Sequence, residues 1–240
     1  MSVIKIMLHK RLIIIAIAVI GCLLVLTGCQ KKIWAHRVNT LEVANQKIKH
    51  FPGIEVDLVF DTITDELYVS HDIEGSNANL TFRQYLQQLK KPGSVKYWID
   101  VKNLYDNPDA ICDTILQLAD YYGFNKKFFV ESWDVWALKT AKSKGVSTSL
   151  WVENVYDLPE IDTLKWVEKV RNAITLCNPD ALSAHYLMRP FLDEYFLEIG
   201  INLWQTPAEY NDENVEITRE ICRDPHVKVV LVDYDKQIFY

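Results

Sequence analysis

The chain has 240 residues, of which 49% are hydrophobic and 24% are charged, and its formal net charge is −6. An acidic chain lacks the basic footprint that a nucleic-acid partner requires, so we expect no nucleic-acid binding. About 210 residues follow the N-terminal segment, which is enough for one sizeable core and favours a single domain over residues 33–240.

The chain begins with the pattern of a secretory signal. Three basic residues precede an apolar run over residues 12–26, which is shorter than the roughly 20 residues of a comfortable transmembrane helix. The run ends in LTGC, which resembles a bacterial lipobox and therefore implies lipidation of Cys29. We predict a lipoprotein signal peptide over residues 1–28 and a short lipid-anchored tether over residues 29–32, with an uncleaved N-terminal anchor as the alternative.

Cleavage would change both the charge and the cysteine content of the chain. Residues 1–28 hold three basic and no acidic side chains, so their removal takes the formal charge from −6 to −9. The anchor implies the bacterial cell envelope, at the periplasmic face of the outer membrane or at the cell surface. With Cys29 acylated, at most one disulfide can form among the three remaining cysteines, which are Cys112, Cys177 and Cys222.

Strand-like runs alternate with helix-like stretches along the rest of the chain. The predicted strands cover residues 33–36, 53–60, 95–101, 126–131, 147–153, 180–185, 201–205 and 227–233. The predicted helices cover residues 41–51, 85–90, 110–122, 136–144, 164–177 and 188–199, the first with Asn39 as its N-cap. Eight strands with crossover helices predict an α/β fold, a (β/α)8 TIM barrel. A doubly wound open sheet is the alternative, although no Gly-rich phosphate loop supports it.

A ninth strand-like run covers residues 67–72 and follows the second strand after only five residues, TITDE. This gap cannot hold a crossover helix, because parallel neighbours need a connection of about a dozen residues or more. We therefore predict an antiparallel β-hairpin arm after strand 2. A turn near Thr64 would place His71 across from Val56 and Asp57, at the level of the acids described next.

Acidic side chains alternate with apolar ones on the second strand. In GIEVDLVF, Glu55 and Asp57 lie on the face opposite the apolar residues, and we expect that face to line the barrel interior. YWIDVKN places Asp100 and Lys102 on one face in the same way. Three buried carboxylates are costly unless a cation or a proton neutralises them. Their oxygens suit Mg²⁺ or Ca²⁺, and the alternative is a salt-bridge network around Lys102 without a metal.

Four short motifs now stand in order along the chain: His36-Arg37, Glu55-x-Asp57, His71-Asp72 and Asp100-x-Lys102. Their order resembles the HR, ExD, HD and ExK motifs of glycerophosphodiester phosphodiesterases and related phospholipase-C-like barrels. Downstream, FFVESWD, NLWQT and VVLVDYD resemble later strands of that family. Val38 replaces the glycine of the family, and Asp100 replaces a glutamate. Features of this opening also resemble sphingomyelinase D and the animal menorin-type proteins.

The resemblance implies roles for the residues that match it. A divalent cation, Mg²⁺ or Ca²⁺, would be bound by three acids, while two histidines would exchange protons with the attacking and leaving oxygens. The implied residues are catalytic His36 and His71, the metal ligands Glu55, Asp57 and Asp100, and the substrate-binding residues Arg37, Lys102 and Trp204. Four other strand-end side chains could line the same cavity, although a structural role is the simpler interpretation: Glu131, Trp151, Glu153 and His185.

The predicted function is metal-dependent hydrolysis of glycerophosphodiesters or lysophospholipid headgroups by histidine acid/base catalysis. Its partners would be a small phosphodiester or phospholipid-derived substrate and, through the lipid anchor, a membrane. Two alternatives are a non-catalytic barrel that binds a headgroup, glycan or protein, and a phospholipase-D-like lyase that forms a cyclic phosphate. Retention of both His36 and His71 favours an enzyme, because binding alone needs no proton shuttle.

Overall fold

A computed structural model describes residues 29–73, 80–157, 162–204, 206–207 and 209–234. The strands in this part of the chain are β1 (Ile33–Ala35), β2 (Gly53–Asp61), β3 (Glu66–Val69), β4 (Lys96–Val101), β5 (Phe128–Ser132), β6 (Thr148–Trp151), β7 (Ala181–His185), β8 (Gly200–Trp204) and β9 (Val227–Val232). The α-helices are α1 (Leu41–Lys47), α2 (Phe82–Gln88), α3 (Pro108–Tyr122), α4 (Val135–Ser143), α5 (Thr163–Cys177), α6 (Arg189–Tyr195) and α7 (Asp212–Arg223).

Eight of the described strands form a closed parallel barrel. The order around it is β1-β9-β8-β7-β6-β5-β4-β2, and the pairing of Ala35 with Ile54 joins β1 to β2 and closes the ring. Helices lie between successive strands and cover the outer faces. The (β/α)8 TIM barrel is therefore confirmed, and the open doubly wound sheet is excluded.

The hairpin arm is also confirmed. Strand β3 pairs antiparallel with the upper half of β2, from Leu58 opposite Val69 to Asp61 opposite Glu66. Strand β1 has only three residues and leaves that half of β2 without a neighbour, so β3 supplies the partners for its backbone groups. The N–H of Ser70 donates to the Asp57 carbonyl at 3.1 Å, which brings the following residue, His71, to the predicted level.

Aromatic side chains fill the lower part of the barrel interior. Trp34 and Trp98 are 4% and 1% exposed, and they pack with Val229, Leu231 and partly buried Phe129. A Cβ atom on Gly53 would lie 2.2 Å from the Trp34 ring, so only glycine fits on β2 at this height. The packed interior closes the barrel below the layer of carboxylates.

Two local features differ from the sequence predictions. The N-cap of α1 is Thr40, whose Oγ1 accepts from the N–H of Val43 at 3.3 Å, so the assignment of Asn39 as the cap was wrong. Helix α7 is not among the helices predicted from the sequence, which has few apolar residues in this stretch. The helix packs through a narrow stripe that includes Val215 and Ile221.

The N-terminal predictions lie mostly outside the described residues, which begin at Cys29. Among the helices that the structure describes, none is both long and apolar enough to cross a bilayer. The four described cysteines are buried and free, so none of them forms a disulfide with another: Cys29, Cys112, Cys177 and Cys222.

Candidate active site

The carboxyl ends of the barrel strands surround a cavity of about 200 Å³. Catalytic groups of TIM barrels lie at this end, because the loops that follow the strands meet there. All eight residues predicted for the site line the cavity, namely His36, Arg37, Glu55, Asp57, His71, Asp100, Lys102 and Trp204. Glu131 and Trp151 line it as well, whereas Glu153 and His185 do not belong to its lining.

Three carboxylates meet at the wall formed by β2 and β4. Asp57 lies directly opposite Asp100 in the parallel register, and Glu55 lies two residues below Asp57 on the same face. One oxygen from each of the three residues lies within 4.8 Å of the others. Glu55 and Asp57 are each only 2% exposed, so their charges are largely removed from water. The alternation in the sequence therefore predicted this cluster correctly.

A lysine bridges two of these acids. The Nζ atom of Lys102 lies 2.5 Å from Asp57 Oδ1 and 2.5 Å from Asp100 Oδ2. Burial by itself would lower the pKa of Lys102, but the attraction of the two carboxylates is the larger effect, so the pKa is raised. Lys102 is therefore positively charged at neutral pH. One positive charge offsets only part of the negative charge of three acids.

Glu55 is held by a backbone group instead of the lysine. Its Oε2 accepts from the N–H of Arg37 at 2.6 Å. Arg37 has a φ of 51°, in the left-handed region that a non-glycine residue rarely adopts, and this turn directs its N–H at the carboxylate. Burial raises the pKa of Glu55 well above its usual range, and the neighbouring Asp57 and Asp100 raise it further.

Asn39 is a site residue that the sequence interpretation missed. Its Nδ2 donates to Asp57 Oδ2 at 2.6 Å, and its Oδ1 accepts from the Asp57 N–H at 3.0 Å. The two bonds fix the carboxylate that also contacts Lys102. The sequence does contain a signal for this contact. Because Thr40 can cap the helix, the side-chain amide of Asn39 is available to bind another group.

We expect Asn39→Ala to weaken binding of Mg²⁺ or Ca²⁺ by about 10- to 100-fold, because a carboxylate that has lost its orienting partner is a poorer ligand. Titration calorimetry of the purified protein measures this change. Thr40→Ala is the matched control, since it removes the α1 cap, costs about 1 kcal/mol of stability and leaves Asp57 untouched. Equal affinity in the two variants would contradict an orienting role for Asn39.

The two histidines flank the cluster with carboxylate partners of their own. His36 Nδ1 lies 2.9 Å from Asp233 Oδ1, and its side chain is 12% exposed. Burial opposes ionisation of Asp233, but the hydrogen bond and charge of His36 keep the pKa of this acid lowered. His71 Nδ1 lies 3.1 Å from Asp72 Oδ1 at the open mouth, where its side chain is 54% exposed. In both rings a carboxylate holds Nδ1 and leaves Nε2 for a substrate.

No protein-family model and no curated protein matches the sequence. Solved structures of low sequence identity do match the fold. A glycerophosphodiester phosphodiesterase from Parabacteroides distasonis is 17% identical, with a TM-score of 0.58, over 85% of this chain and 93% of that one. One from Agrobacterium tumefaciens is 15% identical, with a TM-score of 0.59, over 85% and 96%. An Oleispira antarctica phosphodiesterase, solved with the product sn-glycerol-3-phosphate, is 11% identical, with a TM-score of 0.60, over 86% and 94%.

The chain has the glycerophosphodiester phosphodiesterase fold. The resemblance seen in the sequence motifs is thereby confirmed at the level of the fold, along most of the chain. A shared barrel does not fix a reaction, because barrels of this kind carry many chemistries on the same scaffold. The function therefore depends on the side chains in the cavity.

Glu131 adds a fourth acid to this barrel. It lies opposite Asp100 in the β4–β5 register, is 5% exposed, and has an Oε2 without a hydrogen-bond partner among the described residues. Burial raises its pKa well above the usual range, and Asp100 raises it further. Trp204 Nε1 is also buried and has no hydrogen-bond partner in the described part of the chain. The cavity therefore has unused donors and acceptors on its inner wall.

Folding raises the pKa of Glu55, Asp100 and Glu131, with burial as the largest cause in each case. A group whose pKa is raised binds protons on folding, so its contribution to stability is lost as pH rises through its folded pKa. We therefore expect the temperature at the midpoint of thermal unfolding in EDTA to decrease as the pH is raised from about 5 to about 8. Mg²⁺ or Ca²⁺ should raise the midpoint mainly at the higher pH. A metal effect that does not depend on pH would contradict this expectation.

A second cleft of about 600 Å³ adjoins the cavity on the side of β4 and β5. The two share His71, Asp100, Lys102, Glu131 and Trp151 along their common edge. The outer wall of the cleft is apolar. Trp133 is 58% exposed there, and its ring centroid lies 5.7 Å from that of Tyr105. This surface suits the organic part of a substrate whose charged centre lies at the carboxylates.

Proposed function

We propose that the chain is a divalent-cation-dependent phosphodiesterase that acts on glycerophosphodiesters or lysophospholipid headgroups. The observation that carries the proposal is the cluster of Glu55, Asp57 and Asp100, with oxygens within 4.8 Å of one another at the catalytic end of the barrel. A relative with this fold was solved with sn-glycerol-3-phosphate, which supports a small substrate that contains a glycerol phosphate.

The donor set fits a hard divalent cation. Mg²⁺ and Ca²⁺ prefer carboxylate oxygens, and three are close enough to share one ion. Lys102 offsets part of the charge in the cluster, so the remaining negative charge requires protons or a cation. Glu55, Asp57 and Asp100 would hold this cation. When bound, it would polarise a phosphoryl oxygen and offset the charge that develops during the reaction.

Two cationic side chains of the protein are suited to bind the phosphate itself. Arg37 is the second residue after β1 and lines the cavity beside Glu55, and its planar guanidinium can donate two parallel hydrogen bonds to phosphate oxygens. Lys102 lies on the other side of Asp57 and provides a compact charge. Together they would position the diester above the carboxylates.

The two histidines would transfer protons at opposite sides of the phosphorus. Asp233 orients the ring of His36 through Nδ1, so Nε2 can take a proton and later return it. His71 lies at the open mouth and would serve the other oxygen. If a hydroxyl of the substrate attacks, the first product is a cyclic phosphate, so the lyase alternative uses the same pair of residues.

An assay on soluble and lipid substrates tests the proposal. Purified full-length chain in detergent is incubated with glycerophosphocholine or lysophosphatidylcholine in Mg²⁺, in Ca²⁺ or in EDTA, and products are followed by phosphorus NMR. We expect turnover with metal and none in EDTA, and a cyclic product would identify the lyase route. Absence of turnover with either metal on both substrates would leave a binding barrel.

We also propose that the chain is lipidated at Cys29 and attached to the bacterial cell envelope. The LTGC sequence supports this proposal. In the folded chain Cys29 is 6% exposed, and its Sγ lies 3.9 Å from the Arg219 carbonyl on α7, so acyl chains would displace this contact. Mass spectrometry of the N-terminal peptide tests the modification. A mature chain that starts at an unmodified residue would overturn it.

A further inference from the structure

The amino ends of the strands carry a basic surface, at the opposite end of the barrel from the candidate active site. A cavity of about 320 Å³ opens there. Its rim holds five exposed lysines, which we call the lysine face: Lys31, Lys96, Lys126, Lys127 and Lys228. Such a concentration of one charge is unexpected in a chain whose formal net charge is −6.

The positive charge of the lysine face has no paired counter-charge among the residues that the structure describes. None of its five lysines forms an ion pair with an acid in the described part of the chain; Lys127 Nζ donates only to the Gly93 carbonyl, at 2.5 Å. The acid in the lining, Asp180, already pairs with Lys142 and accepts from the Thr148 N–H at 2.9 Å. Neighbouring like charges without counter-charges favour an anionic partner from outside.

The floor of this cavity has hydrogen-bonding atoms without partners. Thr148 Oγ1 and Asn202 Oδ1 are buried and make no hydrogen bond within the described chain, and their residues are 1% and 3% exposed. The aromatic side chains of Trp34, Phe128 and Phe129 form the rest of the floor. A polar headgroup with an apolar portion would match this combination of charge, hydrogen bonding and aromatic surface.

The position of the N-terminal segment indicates which anionic partner reaches this face. Lys31 is two residues after Cys29, and the apolar run over residues 12–26 ends just before that cysteine. A lipidated Cys29 and an uncleaved anchor would both attach the chain to a bilayer beside β1, whose amino end lies at the lysine face. Either form of attachment therefore brings lipid headgroups to the same surface.

We propose that the lysine face docks on anionic phospholipid headgroups, so that the barrel stands on the membrane with its catalytic end directed away from it. The inference rests on the membrane attachment proposed above and is independent of the phosphodiesterase reaction. Basic residues close to a bilayer gain affinity for anionic lipids, and several of them act together. Lys165 and Lys169 lie in the first two turns of α5 at the catalytic end, where Lys169 pairs with Glu153, so they would remain in water.

Lysine footprinting of the full-length chain in vesicles tests this orientation. A membrane-impermeant amine reagent is applied in vesicles of phosphatidylcholine alone and in vesicles that also contain phosphatidylglycerol, and modification is read by mass spectrometry. We expect phosphatidylglycerol to slow the modification of Lys126, Lys127 and Lys228 by about fivefold or more, and high salt to reverse the effect. The rates at Lys165 and Lys169 should not change.

Two outcomes would overturn the proposal. One is equal modification of the lysine face in both kinds of vesicle. The other is equal protection by inorganic phosphate or glycerol phosphate in phosphatidylcholine vesicles, which would identify a soluble-anion site.

A matched pair of charge variants provides an independent measurement. The double variant Lys126→Glu/Lys228→Glu should lose the protection of Lys96 and Lys127 by phosphatidylglycerol. The control Lys165→Glu/Lys169→Glu makes the same charge change at the catalytic end, on side chains that are 83% and 73% exposed, and should retain the protection. Retained protection in the first variant would contradict docking through this face. Phosphodiesterase turnover should be unchanged in the first variant, which separates this proposal from the proposed reaction.

Discussion

Replacing Asp57 by asparagine is expected to abolish binding of Mg²⁺ or Ca²⁺ and to lower kcat/KM about a thousandfold. Asp57 is a member of the carboxylate cluster, and it also contacts Lys102 at 2.5 Å and Asn39 at 2.6 Å. A cation that offsets charge on a reacting phosphate contributes several kcal/mol, which corresponds to about a thousandfold in rate. Titration calorimetry measures the binding, and steady-state kinetics on glycerophosphocholine measures the rate.

The control for this substitution is Asp113→Asn, which breaks an ion pair between Asp113 and Lys144 with a 2.8 Å contact at the exposed surface. It should leave binding and turnover within about twofold of the parent, because exposed ion pairs contribute little. Turnover within tenfold of the parent would instead favour a structural salt-bridge network around Lys102.

Replacing His36 or His71 by glutamine is expected to lower kcat by about 10²- to 10⁴-fold while metal affinity is retained. Glutamine keeps hydrogen-bonding capacity but cannot transfer a proton at neutral pH. His36 contacts Asp233, and His71 contacts Asp72, so neither imidazole has a partner among the three carboxylates of the cluster. Comparison of kcat with the calorimetric Kd for metal separates proton transfer from metal binding.

His50→Gln provides the matched substitution away from the cavity, because His50 is exposed beyond the end of α1. It should leave kcat unchanged. If both histidines take part in one reaction, kcat of the double variant His36→Gln/His71→Gln should fall by less than the product of the two single-variant factors. Full activity in His71→Gln would contradict this role and would indicate a reaction that does not need the second histidine.

Much of the barrel and its carboxylates could be predicted because their signals are local. Alternation along one strand places Glu55 and Asp57 on the same face, and the short connection after β2 requires an antiparallel arm. Adjacent barrel strands then bring Asp100 to the same height. Each step needs only the spacing of residues within a few positions of one another.

The residues that orient the site depend on contacts that no local pattern describes. Asp233 reaches His36 across 197 positions because barrel closure pairs β9 with β1. Asn39 turns toward Asp57 because Arg37 adopts a left-handed conformation and Thr40 replaces Asn39 as the helix cap. Helix α7 was missed because only a few apolar side chains pack it against the barrel, although its Asn211 cap and acidic first turn favour a helix.

The length of the strands separates the two charged ends of the barrel electrically. Strand β9 runs from Val227 at one end to Val232 at the other, a rise of roughly 15 to 20 Å. This is about twice the distance over which salt screens a charge at physiological ionic strength, about 8 Å. A negatively charged diester that approaches the active-site cavity would therefore experience little repulsion from anionic phospholipids at the other end of the barrel. Mutations in the lysine face should not alter the affinity of the cavity for phosphate.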